Sequence, residues 1–174
     1  ATPAQMPLTT MKGIGLDFTL QNDNGLQAVE KNSVWGFEWG YRFGSTEEGE
    51  DGFFFGLRVE QCEASHCLNG MDFTVKVRDS VCDNCYFEMG LGGTAIRMVG
   101  DGNTISNPHF SPGWKVDIDI PEPTTLNPVI VNPTCGLGRN TTACPSPIGI
   151  RVRSDGNMRT IVGGYFIVDH TTGG

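Results

Sequence analysis

The sequence predicts an all-β domain folded as an antiparallel two-sheet sandwich, Ig-like or jelly-roll-like, with about eight to ten short strands. Glycine accounts for 24 of the 174 residues, and this disfavours helices because each glycine inside a helix costs about 1 kcal/mol. Short alternating apolar stretches recur along the chain, with Gly, Asn, Asp and Pro turns between them. No long stretch has helical periodicity.

The first predicted strand, at residues 14–20, alternates in hydrophobicity and ends at a turn rich in Asn, Asp and Gly. The second, at residues 34–43, places Trp35, Phe37 and Trp39 on one side, which we interpret as the side facing the core.

The remaining strands follow at short intervals. They are predicted at residues 53–60, 71–78, 86–89, 95–99, 114–120, 129–131, 148–153 and 158–168. The last two flank Ser154-Asp-Gly-Asn157, a sequence typical of a hairpin turn. We find no internal repeat and no linker, so residues 1–174 are predicted to form a single extracellular domain.

The charge of the chain excludes one class of partner. The formal net charge is −8, and an acidic chain repels the phosphate backbone of nucleic acids. No apolar run approaches the roughly 18 residues that a membrane-spanning helix needs. We therefore expect neither a nucleic-acid partner nor a membrane span.

The cysteines predict disulfide bonds and hence a secreted protein. Their even number and short spacings are typical of a disulfide framework: Cys62, Cys67, Cys82, Cys85, Cys135 and Cys144. We favour a bond between the last two, with the other four bridged inside one hairpin. Two close pairs among the first four also fit a zinc ribbon, but acidic neighbours favour oxidation. The chain begins at Ala1, as a mature N-terminus would after loss of a signal peptide.

A ligand site is predicted around one tryptophan. Trp114 follows Pro112 and Gly113 at the start of a strand, which favours exposure of its ring. Tyr41 belongs to the same aromatic set, and Asp101 and Asn103 lie in a polar turn. Rings combined with oriented hydrogen-bonding groups suit sugar recognition. Core packing is the alternative for each ring.

Metal binding is a further possibility. His66 and His109 lie in predicted loops, where imidazoles could assemble a zinc site, and His170 lies near the C-terminus. Calcium could bind oxygen-rich turns at residues 22–24, 101–103 and 155–157, which ordinary turn chemistry also explains.

Catalysis is the other alternative. The predicted strands carry Glu38, Glu88, Asp117 and Asp119, and a glycosidase needs two such carboxyl groups across a cleft. Alternation along the strands equally explains them as solvent-facing side chains. No serine-nucleophile motif occurs, so we assign no catalytic residue.

In its acidic, Gly/Asn/Thr-rich composition, its six cysteines and its size, the chain resembles the receptor-binding lectin domains of bacterial fimbrial tip adhesins. The resemblance implies a sandwich that binds a host glycan or surface protein, with a pilin domain or other fibre subunit as a further partner. It assigns no site residues.

The leading hypothesis is therefore an extracellular adhesin or lectin-like module that binds its ligand through loops at one end of the sandwich. The alternatives are a secreted carbohydrate-active enzyme with a carboxylate pair and a structural or coat protein. Unprotected edge strands and a concentration-dependent mass would favour the structural protein.

Overall fold

A computed structural model describes residues 12–18, 28–44, 54–121, 127–136, 148–153 and 160–167. Within these ranges the regular secondary structure consists of β-strands, which form three six-stranded sheets and one small pair. The described residues contain no helix with the length and apolarity that crossing a membrane requires.

With the small pair set aside, each large sheet takes every third strand of the chain. The first sheet contains β1 (Ile14–Phe18), β4 (Trp39–Phe43), β8 (Asn69–Phe73), β12 (Thr94–Met98), β15 (Val116–Ile120) and β18 (Ile148–Val152). The second contains β2 (Ala28–Glu30), β6 (Arg58–Glu60), β10 (Val81–Asp83), β13 (Thr104–Ser106), β16 (Val129–Val131) and β19 (Thr160–Val162). The third contains β3 (Ser33–Trp35), β7 (Glu63–Ser65), β11 (Tyr86–Glu88), β14 (His109–Phe110), β17 (Thr134–Gly136) and β20 (Tyr165–Ile167). The small pair is β5 (Phe54–Phe55) with β9 (Val77–Arg78).

The strand pairs in these sheets are parallel, so the predicted antiparallel sandwich is wrong. The chain passes through the first, second and third sheets in turn and then returns to the first, one strand further along. This path is a parallel β-helix of six coils. Parallel neighbours need a long crossover connection, and here the other two sides of the coil provide it. The predicted hairpin around residues 154–157 is also wrong, because β18 and β19 lie in different sheets.

An internal repeat therefore exists, contrary to our prediction. Each first-sheet strand carries a charged residue between two apolar ones, and these residues stand in register: Asp17, Arg42, Asp72, Arg97, Asp119 and Arg151. Successive members are 22 to 32 residues apart. The irregular spacing hides the repeat in the sequence.

A second column of equivalent residues marks the turn between the second and third sheets. Its six members have positive φ: Lys31, Gln61, Asn84, Asn107, Asn132 and Gly163. Asparagine and glycine are the residues that adopt this left-handed conformation most readily, and they occupy four of the six positions. This column positions the site described below.

The core lies inside the coils, where residues at equivalent positions stack. One column from the first sheet contains Tyr41, Met71, Ile96 and Ile118, all fully buried. Phenylalanines continue the next column, where the rings of Phe43 and Phe73 are tilted against each other with their centroids 5.2 Å apart.

The charged column of the first sheet, which we call the charge ladder, lies on the outer side of the coils. Asp72 is fully buried between two arginines, with Arg97 donating hydrogen bonds of 2.8 and 3.1 Å and Arg42 Nε lying 3.8 Å away. Burial raises the pKa of Asp72, although both arginines oppose the shift. In-register parallel stacking places equivalent residues side by side, so alternating charges replace like-charge repulsion with attraction.

At Asp119 the same opposing effects shift the pKa in the other direction. Burial favours a higher pKa, but hydrogen bonds and charge from Arg151 and Arg153 outweigh it and lower the pKa of this carboxyl group. Arg151 donates hydrogen bonds of 2.8 and 2.6 Å and Arg153 donates one of 2.9 Å. The stability that Asp119 contributes is therefore present at neutral pH and lost as the pH falls through its lowered pKa.

The predicted disulfides of four cysteines are not formed. Cys62, Cys67, Cys82 and Cys85 are buried free thiols, and Cys135 and Cys144 have side chains outside the described residues. Cys62 and Cys85 occupy the same turn position in neighbouring coils, because Glu63 and Tyr86 are register partners. Here the thiols act as small apolar core residues.

We expect these four thiols to resist alkylation by iodoacetamide in the native protein and to react fully after unfolding without prior reduction. A hydrogen bond with Cys85 and burial raise the pKa of Cys62, and burial raises the pKa of Cys67, so these two thiols hold little reactive thiolate. Burial also keeps the reagent away from all four thiols. Peptide mapping by mass spectrometry would follow each cysteine separately. A disulfide-linked peptide containing any of the four would contradict this assignment.

Candidate functional site

The structure places the predicted ligand-binding aromatics in the core. Trp114 is buried, and its indole Nε1 donates a 3.1 Å hydrogen bond to the carbonyl oxygen of Phe87. Tyr41 is also buried, and its hydroxyl donates to the carbonyl oxygens of Asn32 and Glu63 at 2.8 and 3.1 Å. Neither ring has a face available to a ligand.

The two polar residues predicted to bind the ligand, Asp101 and Asn103, instead contact the turn at residues 77–80. Asn103 is buried, accepts a hydrogen bond from the Ser80 backbone N–H at 3.0 Å and donates one to the Val77 carbonyl oxygen at 2.8 Å. Asp101 is half-buried, with a carboxylate oxygen 3.8 Å from Arg78 Nε. The structure does not bring these four predicted residues together into a surface site.

The two histidines predicted as zinc ligands each pair with an aromatic ring. His66 accepts a 2.7 Å hydrogen bond at Nδ1 from Trp35 Nε1, and the ring centroids of these residues are 4.9 Å apart. His109 is exposed, with its ring centroid 5.7 Å from that of Tyr86. The described part of the chain contains no cluster of three or more His, Cys, Asp or Glu side chains that could hold a metal ion. His170 and the turns at 22–24 and 155–157 lie outside the described residues.

The carboxylates considered for catalysis differ in position and exposure, and the two that share a strand are buried. Asp117 and Asp119 are buried on β15, Glu38 is half-buried before β4, and Glu88 is exposed on β11. Asp117 and Asp119 thus lie on the outer side of the coils, opposite the core columns, but their predicted exposure to solvent is wrong.

An open cavity of about 590 Å³ lies where the second and third sheets meet. We call it the corner groove. Its lining comes from three successive coils, each contributing the left-handed turn residue and the first residue of the third-sheet strand: Lys31 with Ser33, Gln61 with Glu63, and Asn84 with Tyr86. The coil repeat therefore generates the groove directly.

The floor of the corner groove is fixed from below. The buried Tyr41 hydroxyl donates to the backbone carbonyl oxygens of Asn32 and Glu63, which lie in two successive coils. Above the floor, Ser33 Oγ donates a 3.2 Å hydrogen bond to Glu63 Oε2. The groove thus presents hydroxyl, amide, ammonium and carboxylate groups on a fixed backbone.

Two exposed aromatic rings stand on the outer face of the third sheet: Tyr86, which lines the groove, and Trp35, two residues after the lining residue Ser33. Trp35 is 60% exposed and Tyr86 is 46% exposed. Their strands, β3 and β11, are separated by β7 and so lie roughly 10 Å apart across the sheet. Trp35 lies two residues further along the strand direction than Tyr86. The hydrogen bond from Trp35 to His66 restrains the indole without covering it.

Trp35 and Trp114 have the opposite environments from those predicted. Trp35 was predicted to face the core, but it ends β3 at an outward position, immediately before Gly36 with φ of 83°. No signal in the sequence marks this position. Residues that lie four after a member of the turn column differ in exposure: Trp35 and Glu88 are exposed, but Ser65, four after Gln61, is buried.

Comparison with models of known protein families, with curated proteins and with solved structures finds no match to this chain.

Proposed function

We propose that the corner groove binds an uncharged oligosaccharide and that the chain is a carbohydrate-binding module. The observation that carries the proposal is the combination of a polar groove with two exposed rings, Tyr86 in its lining and Trp35 close by on β3. Sugars present hydroxyl groups at their edges and apolar C–H faces, so they suit oriented hydrogen-bonding groups next to aromatic surfaces.

The charge of the groove supports an uncharged ligand. Among its described lining residues, Lys31 carries one positive charge and Glu63 one negative charge. A polyanion would meet one lysine on a chain with net charge −8, which disfavours nucleic acids and highly sulfated sugars.

The lining also favours binding over hydrolysis. Of the described residues that line the groove, only Glu63 has a carboxyl group, whereas most glycosidases use two such groups across the scissile bond. Four cysteines are free thiols, so they do not support the prediction of a secreted protein: Cys62, Cys67, Cys82 and Cys85. The proposal therefore concerns the class of ligand and not the location of the protein.

Removal of either exposed ring is expected to weaken sugar binding by about tenfold, which corresponds to about 1.4 kcal/mol. A glycan array would identify the ligand, and calorimetric titration of Trp35→Ala and Tyr86→Ala with that glycan would measure the loss.

Phe55→Ala is the matched control, because this ring is also well exposed but lies on β5, in the small two-stranded sheet. We expect it to bind like the wild type. Failure to bind any glycan, or equal affinity in all three variants, would contradict the proposal.

A further inference from the structure

The two ends of the β-helix carry matching strands with opposite charges. Within the described residues, β1 and β18 are the terminal strands of the first sheet. Their sequences are Ile-Gly-Leu-Asp-Phe and Ile-Gly-Ile-Arg-Val, which agree at each position in size or apolar character except that Asp17 replaces Arg151. The terminal strands also occupy equivalent places in the coil, because both belong to the same column of the repeat.

The last coil exposes apolar side chains that inner coils bury. Ile130 is 1% exposed, whereas its register partner Ile161 on β19 is 48% exposed. Likewise Ile120 is 1% exposed and its partner Val152 on β18 is 41% exposed. These positions are buried in the coils between the first and the last, so the last described coil has the chemistry of a coil interface.

We propose that a second copy of this chain stacks head to tail on this end, with β18 of one copy pairing in parallel with β1 of the next. This self-association goes beyond the proposed sugar binding. The contact brings Arg151 of one copy beside Asp17 of the other and so continues the alternation of the charge ladder. It also stacks Ile150 on Leu16 and Val152 on Phe18, the same apolar columns that form the core.

The interior of the molecule provides the precedent for this contact. Asp72 lies between Arg42 in the preceding coil and Arg97 in the following coil, and both arginines interact with it. At the joint, Asp17 would lie between Arg42 of its own copy and Arg151 of the other. Because the two contacting surfaces differ, each added copy leaves a free end, and the product is an open filament rather than a closed dimer.

Charge reversal at either end tests this arrangement. Asp17→Arg alone places two arginines at the joint, and Arg151→Asp alone places two aspartates there. Each variant is expected to associate with itself at least about tenfold more weakly than the wild type, as measured by sedimentation velocity over a range of concentrations. A mixture of the two variants restores an Arg–Asp pair at every joint and is expected to recover association.

Glu88→Arg is the control, because it makes the same change in charge as Asp17→Arg at an exposed position in the middle of the stack. It should associate like the wild type. Circular dichroism would verify that each variant keeps its β-structure. If a reversal unfolds its end coil, Asp17→Asn and Arg151→Gln remove the charge without opposing like charges, and each should still weaken association.

Three results would overturn the proposal. A wild-type protein that stays monomeric at every concentration would show that something other than a second copy covers the end coil. Self-association of both single variants at wild-type strength would exclude the Arg151–Asp17 joint. A mixture of folded variants that fails to associate would do the same.

Discussion

Replacement of Trp114 by alanine is expected to lower the free energy of unfolding by about 3–5 kcal/mol. The indole is buried, its N–H donates to the Phe87 carbonyl oxygen, and its ring meets that of Phe87 edge-on at a centroid distance of 6.4 Å. Gly90 has no space for a Cβ beside the indole, so the surrounding chain fits closely around this ring. Alanine would leave a cavity that the closely packed residues around the indole cannot fill. Urea unfolding followed by circular dichroism would measure the loss.

Trp35→Ala is the matched control for this prediction, since it deletes the same side chain from the surface. We expect it to change the unfolding free energy by less than about 1 kcal/mol, because most of its surface is already in water. The opposite pattern, in which Trp114→Ala retains full stability but loses ligand binding, would restore the sequence-based prediction that Trp114 is a ligand contact.

The second large effect is expected for Arg97→Met, which should lower the unfolding free energy by about 2–3 kcal/mol at neutral pH. The substitution removes two hydrogen bonds from Asp72, a carboxylate with no exposed surface. Arg42 Nε remains 3.8 Å from the Asp72 carboxylate and limits the loss of unfolding free energy. Chemical unfolding of the variant and the wild type would measure the difference.

The deficit of Arg97→Met should shrink as the pH falls. Burial already raises the pKa of Asp72 in the wild type, and loss of Arg97 raises it further. A folded-state carboxyl group with a raised pKa takes up a proton that the unfolded chain does not yet hold, so lowering the pH favours the folded variant. A deficit that grows on acidification would contradict this account.

Arg58→Met is the matched control for the ion pair. Arg58 pairs with Glu60 on the same strand, but its side chain is largely exposed, so solvent screens the interaction. We expect a loss below about 1 kcal/mol, with no recovery in acid. The contrast between the two arginines would separate the effect of burial from that of charge alone.

The positions of many strands could be predicted from the sequence, but their partners could not. Alternation at residues 95–99, 114–120 and 148–153 marks β12, β15 and β18 closely. Alternation does not indicate whether a strand pairs with the next strand in the chain or with one 22 to 32 residues away. Parallel pairing depends on that distant register.

The candidate site was missed for a related reason. Along one coil the direction of a side chain depends on where the turns fall, and a left-handed residue such as Lys31 or Gln61 gives no apolar signal. The groove appears only when successive coils are aligned, because each coil supplies two of its lining residues. Without the repeat, Lys31, Glu63 and Tyr86 are unrelated positions in the chain.

Aspartate and arginine alternate down the first sheet, so coils with an odd number carry an acid at this position and coils with an even number carry a base. Excision of a single complete coil, such as the one that carries Asp72, would bring Arg42 next to Arg97 and place like charges in contact. Excision of two adjacent coils would join an aspartate to an arginine again. Coils of this protein can therefore be gained or lost in pairs far more easily than singly, whether by design or by duplication of the gene.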